Sequence, residues 1–405
     1  MNIKQYSLPY CLAVFFCECC YLLPLAKASV DIPTISIFSF VIALVLFNRN
    51  TITKLLLNSV LIAIPYILLS FIVARQLDVF YGLLHPLLLL WYTLFPAILA
   101  YDLIKRNKRS EVIFTAVVSI ILFAYVSVNT LIELQANQYV LRELTGGGDS
   151  ELLDQMESKN VGGFGFAYAA GVFLLSLFSI IINSHLNNKY KVLLTLFAFL
   201  LFFLVMQAQF TTLLFLVIFT SCLILYLRSN KISRVAIILF SPLLLICISY
   251  FLTYLVSLYE GTVVGEHLQT FYYSIWEKSS VVDSAGARSN FMVDAFWTGL
   301  NSPIWGQSTI SGQVYYITRY SHSDMLATFI GTGIIGVYSR YKSIVFVSRK
   351  LCLDLGKELS KRIYSPIILY YLLLSFFNPI DQIGDVAWTS FLIVPIVYQS
   401  IFKYL

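Results

Sequence analysis

Residues 112–132 read VIFTAVVSIILFAYVSVNTLI, an unbroken run without a charged residue. As an α-helix this run covers about 30 Å, which is the thickness of the hydrocarbon core of a bilayer. Similar apolar runs recur from one end of the chain to the other. The sequence therefore predicts an all-α, polytopic integral membrane protein with one transmembrane domain over residues 1–405.

The composition of the whole chain agrees with this prediction. Of its 405 residues, 59% are hydrophobic and only 12% are charged, and the mean hydropathy is +0.81. A soluble domain typically has about 25% charged residues, so an ordinary soluble enzyme, a disordered chain and a disulfide scaffold are excluded. The net charge of +6 does not predict nucleic-acid binding, because no basic patch with interleaved aromatic residues is present.

Twelve runs have the length and composition of membrane-spanning helices. With the N-terminus inside, 20 Lys and Arg residues fall on the inner side and 7 on the outer side. This bias is the positive-inside pattern, so we expect both termini in the cytoplasm. The predicted spans lie at 6–25, 34–48, 55–74, 80–101, 112–132, 164–183, 191–207, 211–227, 235–258, 323–339, 364–378 and 387–402.

The first apolar run raises the question of a cleaved signal sequence. Ala26-Lys27-Ala28 resembles a signal-peptidase site. The run from Tyr6 to Leu25 is longer than the apolar region of a usual signal sequence, and Glu18 interrupts it. We therefore expect the first span to be retained in the mature protein.

Three segments between the spans are long. Two lie on the predicted outer side, at 133–163 and 259–322, and long loops often carry function. The third, at 340–363, lies on the predicted cytoplasmic side. Its Lys and Arg content is typical of an amphipathic helix on anionic membrane lipid.

The large outer loop ends in an imidazole and a carboxylate. His322 and Asp324 stand where the predicted span at 323–339 begins. A helix N-terminus favours a bound anion, and a neutral imidazole can act as a general base on a sugar hydroxyl or donate to a phosphate. For Asp324 the alternative stays open that Ser321 and Asp324 form a capping box and only start the helix.

Arginines are scarce on the outer side, where only Arg75, Arg142, Arg288 and Arg319 are found. A guanidinium binds two phosphate oxygens at once and keeps its charge, so arginines in the two long loops favour a pyrophosphate-bearing ligand. For Arg142 and Arg319, salt bridges to the 16 outer carboxylates are the alternative. Neither the carboxylates nor the cysteines have metal-ligand spacing, and we expect no metal and no cofactor.

Three motifs follow one another over about 288–336. Arg288 precedes Gly299 by ten intervening residues, the turn Pro303-Ile304-Trp305-Gly306 comes next, and His322 is followed by Gly331-Thr332-Gly333-Ile334-Ile335-Gly336. In order, spacing and membrane placement these motifs resemble the O-antigen polymerase (Wzy) and O-antigen ligase superfamily, with the polymerases closest. Arg142 departs from that pattern, because no glycine follows it at the family's spacing.

The resemblance implies a metal-independent glycosyl transfer on the periplasmic face of the bacterial inner membrane. The donor would be a glycan on undecaprenyl pyrophosphate and the acceptor a lipid-linked repeat unit, with a chain-length regulator and a flippase as protein partners. Arg288, together with Arg142 and Arg319, would hold the pyrophosphate. His322 would deprotonate or orient the acceptor hydroxyl, and Asp324 and Gly299 would belong to the same substrate-binding site.

Two other functions fit parts of the sequence. The ligases of the same superfamily transfer the glycan to the lipid A core, and the sequence does not distinguish them. A lipid-linked sugar flippase or transporter is the second alternative. Transporters carry ionisable residues within the membrane and have pseudo-symmetric halves, whereas Glu18 is the only clear acid in the middle of a predicted span and the large loop breaks any symmetry.

Overall fold

The computed structural model describes most of the chain, and the described part is 90% helical and contains no strand. The predicted all-α class is therefore confirmed. The described residues are 8–47, 52–74, 79–137, 140–144, 150–183, 186–208, 211–229, 250, 253–254, 256–258, 265, 284–307, 323–380 and 384–404.

We number the α-helices in chain order, and π-helical turns precede or interrupt some of them. They are α1 Leu8–Leu22, α2 Pro24–Ser29, α3 Ile32–Leu46, α4 Leu57–Ala74 (after a π-helical turn at Ile52–Leu56), α5 Val79–Arg106, α6 Arg109–Ala136, α7 Val140–Glu143, α8 Ser150–Ser158, α9 Phe164–Asn183, α10 Asn188–Gln207, α11 Thr211–Arg228, α12 Ser284–Leu300, α13 Asp324–Leu355, α14 Lys357–Phe377, α15 Gly384–Trp388 and α16 Val394–Gln399, with π-helical turns at Thr389–Ile393 and Ser400–Tyr404.

Six helical segments among the described residues are long and apolar enough to cross a membrane, which indicates a membrane protein. Four shorter apolar helices accompany them, and all ten coincide with predicted spans. The ninth predicted span, 235–258, lies almost entirely outside the described residues. The six are Lys54–Val73, Pro86–Arg106, Arg109–Ala136, Phe164–Ile182, Asn188–Gln207 and Gly384–Tyr404, and the four are Leu8–Leu22, Ile32–Leu46, Leu216–Leu227 and Tyr364–Phe377.

Two of the long segments form the centre of the bundle. Gly384–Tyr404 is 94% buried and Phe164–Ile182 is 83% buried, whereas Asn188–Gln207 is only 17% buried. A helix that is apolar all round is stable where protein covers every face, or where lipid covers the exposed ones. At the centre, Trp388 stacks on Tyr21, with their ring centroids 4.3 Å apart.

The segment around the candidate signal-peptidase site is bound to the rest of the fold. The Leu25 amide donates to Asn160 Oδ1 at 3.3 Å. The Lys27 ammonium forms an ion pair with the buried Asp385 carboxylate, near the other end of the chain. Both contacts join α2 to elements that are distant in sequence, and retention of the first span stays a prediction.

Several predicted cytoplasmic segments meet at one end of the bundle. Asn107, in the turn between α5 and α6, accepts two hydrogen bonds at its Oδ1. Lys403 Nζ donates one at 2.6 Å and the Tyr404 hydroxyl the other at 2.8 Å. Lys105 pairs with Asp354 at 2.7 Å. These contacts bring the α5–α6 turn, the end of α13 and the residues around Lys403 together at one end of the bundle, and the membrane side that this end faces stays a prediction.

The structure departs from the predicted boundary at residue 339. The predicted span 323–339 and much of the predicted surface segment 340–363 form one helical run, α13, which continues to Leu355. The amphipathic pattern is present, but its apolar residues Ile344, Val347 and Leu351 are buried among neighbouring helices. An apolar stripe has the same sequence pattern whether lipid or protein covers it, which explains the difference.

Candidate functional site

The candidate site is built around a break in α13. Gly333 has φ 62° and ψ −169°, which is outside the helical region, so the helix consists of two halves at 324–332 and 334–355. A break of this kind leaves carbonyls without partners at the end of the first half and N–H groups without partners at the start of the second. Inside a membrane these groups need partners from the protein.

The turn that follows α12 supplies those partners. The Ile334 amide donates to the Pro303 carbonyl at 2.8 Å, and the Ile335 amide to the Ile304 carbonyl at 3.4 Å. In the opposite direction, the Gln307 amide donates to the Ile330 carbonyl at 2.8 Å. The second and third sequence motifs therefore meet in space, and one closes the helix break in the other.

Two glycines allow this close approach. Gly306 and Gly333 both have positive φ, 77° and 62°, a conformation that residues with a Cβ atom rarely adopt. A Cβ on Gly306 would meet the backbone of Gly331 and Thr332, and one on Gly333 would meet the Ile304 carbonyl, all closer than 3.0 Å. The turn and the break therefore fit together only through bare backbone.

Helix α12 packs along the first half of α13. A Cβ on Gly299 would meet the Phe329 ring, and the rings of Phe296 and Phe329 are stacked with centroids 6.3 Å apart. Farther along, Ala295 forms a small buried cluster with Leu326 and Ile330. The two helices thus run parallel, because the later contacts of α12 fall on the later residues of the first half.

This direction determines where the first motif lies. Arg288 is about two helical turns before Ala295 in α12. Its backbone therefore lies toward the end of the helix pair at which Asp324 begins α13. Its side chain is outside the described residues. The structure therefore brings the helical turn that carries Arg288 and the start of α13 to the same end of the α12–α13 pair.

The start of α13 differs in detail from the predicted capping box. Ser323 is the capping residue, and its hydroxyl accepts from the Leu326 amide at 3.1 Å. Asp324 is the first helical residue, and its carbonyl accepts from the Thr328 hydroxyl at 2.7 Å. Asp324 therefore does start the helix, but the capping residue is Ser323 and not Ser321, because the helix begins two residues later than that capping box requires.

The other predicted site residues are described only in part. His322 and Arg319 lie outside the described residues. Arg142 belongs to the short helix α7, and its side chain is likewise outside the description. Its neighbours Val140 and Leu141 are buried, so α7 packs into the bundle and does not project from it. The assignments of His322, Arg319, Arg142 and Arg288 to substrate therefore stay predictions.

One residue of the site is missed from sequence. The sequence pattern places Arg340 in the predicted cytoplasmic segment at 340–363, yet in the structure its side chain is buried, with only 4% of the residue exposed. Its Nη1 donates to Thr328 Oγ1 at 2.7 Å, and its guanidinium lies 5.2 Å from the centroid of the Tyr66 ring on α4. Thr328 precedes the break and Arg340 follows it, so this cation connects the two halves of α13.

The signal that could have revealed Arg340 is the run Gly331-Thr332-Gly333. In an unbroken helix Thr328 and Arg340 would stand about 18 Å apart along the axis, too far for a hydrogen bond. A helix break between them brings them into contact. The two near-adjacent glycines before Arg340 are therefore the one sequence signal for its burial, but glycines are common in membrane helices and do not predict a break by themselves.

An apolar groove opens beside the break. It has a volume of about 480 Å³ and lies between α4 and the second half of α13. Lys342 is the one charged residue of its lining, and its ammonium lies 4.7 Å from the centroid of the Tyr338 ring. The size and apolar lining suit a hydrocarbon chain. The lining residues are Ile62, Pro65, Ile334, Ile335, Tyr338, Ser339 and Lys342.

Comparison with known proteins adds no family. A scan against protein-family profiles and a search of curated proteins both find no match to this chain. Within the part of the chain that the structure describes, no three or more His, Cys, Asp or Glu residues are grouped as metal ligands. Function is therefore inferred from the residues and their arrangement.

Proposed function

We propose that this protein is a glycosyltransferase of the O-antigen polymerase (Wzy) type. It joins oligosaccharide repeat units carried on undecaprenyl pyrophosphate into O-antigen or a related surface polysaccharide. The reaction takes place on the periplasmic face of the bacterial inner membrane. The proposal includes the twelve-span topology with both termini in the cytoplasm and the large outer loop at 259–322.

The observation that carries this proposal is the packing of the three motifs into one unit. Each motif is weak alone, because a single Arg and Gly spacing arises easily by chance. Here α12 with Gly299, the turn at Pro303–Gly306 and the Gly331–Gly336 segment contact one another through backbone hydrogen bonds and glycine contacts. Motifs that are separate in sequence but form one element support a shared function.

The proposed chemistry uses the residues that the sequence predicts for the site. The acceptor hydroxyl oxygen attacks the anomeric carbon of the donor sugar, and the bond from that carbon to the pyrophosphate oxygen breaks. His322 takes the hydroxyl proton. Arg288, with Arg142 and Arg319, stabilises the negative charge of the departing undecaprenyl pyrophosphate, and Asp324 helps to orient the acceptor.

Point variants test these roles in cells that depend on this protein for their polysaccharide. Arg288→Ala and His322→Ala should abolish long polymer at normal protein levels in the membrane. Arg288→Lys should restore little, because an ammonium does not provide the two-pronged contact of a guanidinium. Arg75→Ala, which alters an outer arginine away from both long loops, is the matched control and should leave polymer unchanged.

A lipid-linked sugar flippase is the second candidate, and three observations favour it. The broken helix α13 and the buried Arg340 are features found in transporters, and Glu18 on α1 is another buried ionisable group, which accepts from Ser119 Oγ at 2.5 Å. Against it, the turn at Pro303–Gly306 already occupies the backbone groups at the break. Unaltered polymer in both Arg288→Ala and His322→Ala cells would favour this candidate.

A further inference from the structure

The depth of the turn at 301–307 can be derived from its partners. Lys54–Val73 has the length and composition of a membrane span, and Ile62 and Pro65 lie on either side of its midpoint. These two residues line the same groove as Ile334 and Ile335. The start of the second half of α13 is therefore near the middle of the membrane.

The turn is hydrogen-bonded to that same part of α13. The carbonyls of Pro303 and Ile304 accept from Ile334 and Ile335, so the turn lies within about two helical turns, roughly 10 Å, of the middle of the span. Half of the hydrocarbon core is about 15 Å thick. A turn in the predicted outer loop is thus at the depth of lipid chains.

Several polar backbone groups of the turn have partners, as this depth requires. The amides of Asn301, Ser302 and Gly306 donate to carbonyls within the turn or at the end of α12, and the side chain of Gln307 does the same. These bonds run from Asn301 to Thr298 at 3.2 Å, from Ser302 to Gly299 at 3.2 Å, from Gly306 to Ser302 at 2.9 Å and from Gln307 Nε2 to Thr298 at 3.2 Å.

The same element exposes large apolar side chains. Trp305 is 62% exposed and Trp297 63%, and Val293, Phe296 and Ile304 are about half exposed. Ile334 and Tyr338, which flank the groove on α13, are exposed too. Contiguous exposed apolar surface of this kind marks a site for a partner or for membrane lipid.

We propose that α12 and the turn at 301–307 form a re-entrant element of the large outer loop. The turn is inserted into the hydrocarbon region of the outer leaflet, and Ile304 and Trp305 contact lipid chains there. The partner of this surface is thus the bilayer itself. The proposal concerns the position of the element and does not depend on the chemistry proposed above.

Tryptophan quenching by brominated lipids tests this position in the full chain. The chain has five tryptophans, and the protein is reconstituted into phosphatidylcholine vesicles whose acyl chains carry bromine near the bilayer centre or near the headgroups. Trp305→Phe should lose most of the emission that deep bromine quenches and leave quenching by aqueous iodide unchanged. Trp388→Phe, which removes a fully buried tryptophan, is the matched control and should change neither.

The opposite pattern would overturn the proposal. If Trp305→Phe removes iodide-quenched emission and leaves deep-bromine quenching unchanged, the turn is in water. If it removes only emission quenched by bromine near the headgroups, the turn lies at the surface and is not re-entrant. Trp297→Phe gives a second measurement of depth. Trp297 precedes the turn in α12, so the emission that this variant loses should be quenched more by bromine near the headgroups than the emission lost in Trp305→Phe.

Discussion

At the scale of single residues, Gly306 and Gly333 carry the contact on which the candidate site depends. Gly306→Ala or Gly333→Ala would place a methyl group against backbone and force an alanine into a positive-φ conformation. The conformational cost alone is about 1–3 kcal/mol. We expect both variants to lower the melting temperature of the detergent-purified protein clearly.

Gly163→Ala is the matched control for these variants. A Cβ at Gly163 would meet no heavy atom within 4 Å. Its melting temperature should stay within error of the wild type. Equal melting temperatures for all three variants would mean that the turn and the helix break do not form the tight backbone contact described here.

At the scale of elements, Arg340 fixes the two halves of α13 relative to each other. Removing its guanidinium deletes the bond to Thr328 and the contact with the Tyr66 ring, for an expected loss of about 2 kcal/mol. Arg340→Ala should therefore unfold at a lower temperature, and Arg340→Met, which keeps much of the volume, should be affected less.

Lys342→Ala provides the comparison for Arg340. Lys342 is two residues farther along the same helix, but it is exposed, and its ammonium lies over an exposed ring. Such a contact contributes less than about 1 kcal/mol. If Lys342→Ala destabilises the protein as much as Arg340→Ala does, burial of the arginine is not the reason for its effect.

At the scale of elements, the sequence predicts the spanning helices but not the break within one of them. Uncharged runs such as 112–132 are sufficient to predict a spanning helix, because in lipid a single segment satisfies its own backbone N–H and C=O groups only as a helix. The break at Gly333 was not predicted, since glycines are common in membrane helices and only the partner turn shows that one of them interrupts α13. The burial of Arg340 depends on that break and was missed with it.

The candidate site was predictable to a similar extent. The order of Gly299, the Pro303–Gly306 turn and the Gly331–Gly336 segment was readable as three motifs, but their contact in space was not, because it joins residues about thirty apart. Local patterns also misplaced the cap of α13. Ser321 and Ser323 both have the chemistry of a capping residue, and only the path of the backbone decides between them.

At the scale of the whole molecule, Lys27 and Asp385 connect the two ends of the chain. Asp385 is buried, so Lys27→Ala would leave its carboxylate without the ammonium, at an expected cost on the order of 2–3 kcal/mol after allowing for the partial exposure of Lys27. We expect a clear drop in melting temperature in detergent.

Lys159→Ala is the control for this ion pair. Lys159 pairs with Glu133 at 2.7 Å but is half exposed, so the pair contributes less than about 1 kcal/mol. A smaller effect of Lys27→Ala than of Lys159→Ala would contradict the view that α2 is bound to the core. A mature protein whose N-terminal sequence begins at Ser29 would contradict it as well.

The most direct test of the proposed function is the surface glycan of a strain from which this protein has been deleted. We expect the lipid A core to carry a single repeat unit and no longer chains, because the ligation step still works and only polymerisation is lost. Expression of the wild-type protein should restore the long chains, and the Arg288→Ala variant should not. A core without any O-antigen would identify a ligase, and an unchanged chain-length pattern in the deletion strain would contradict the account.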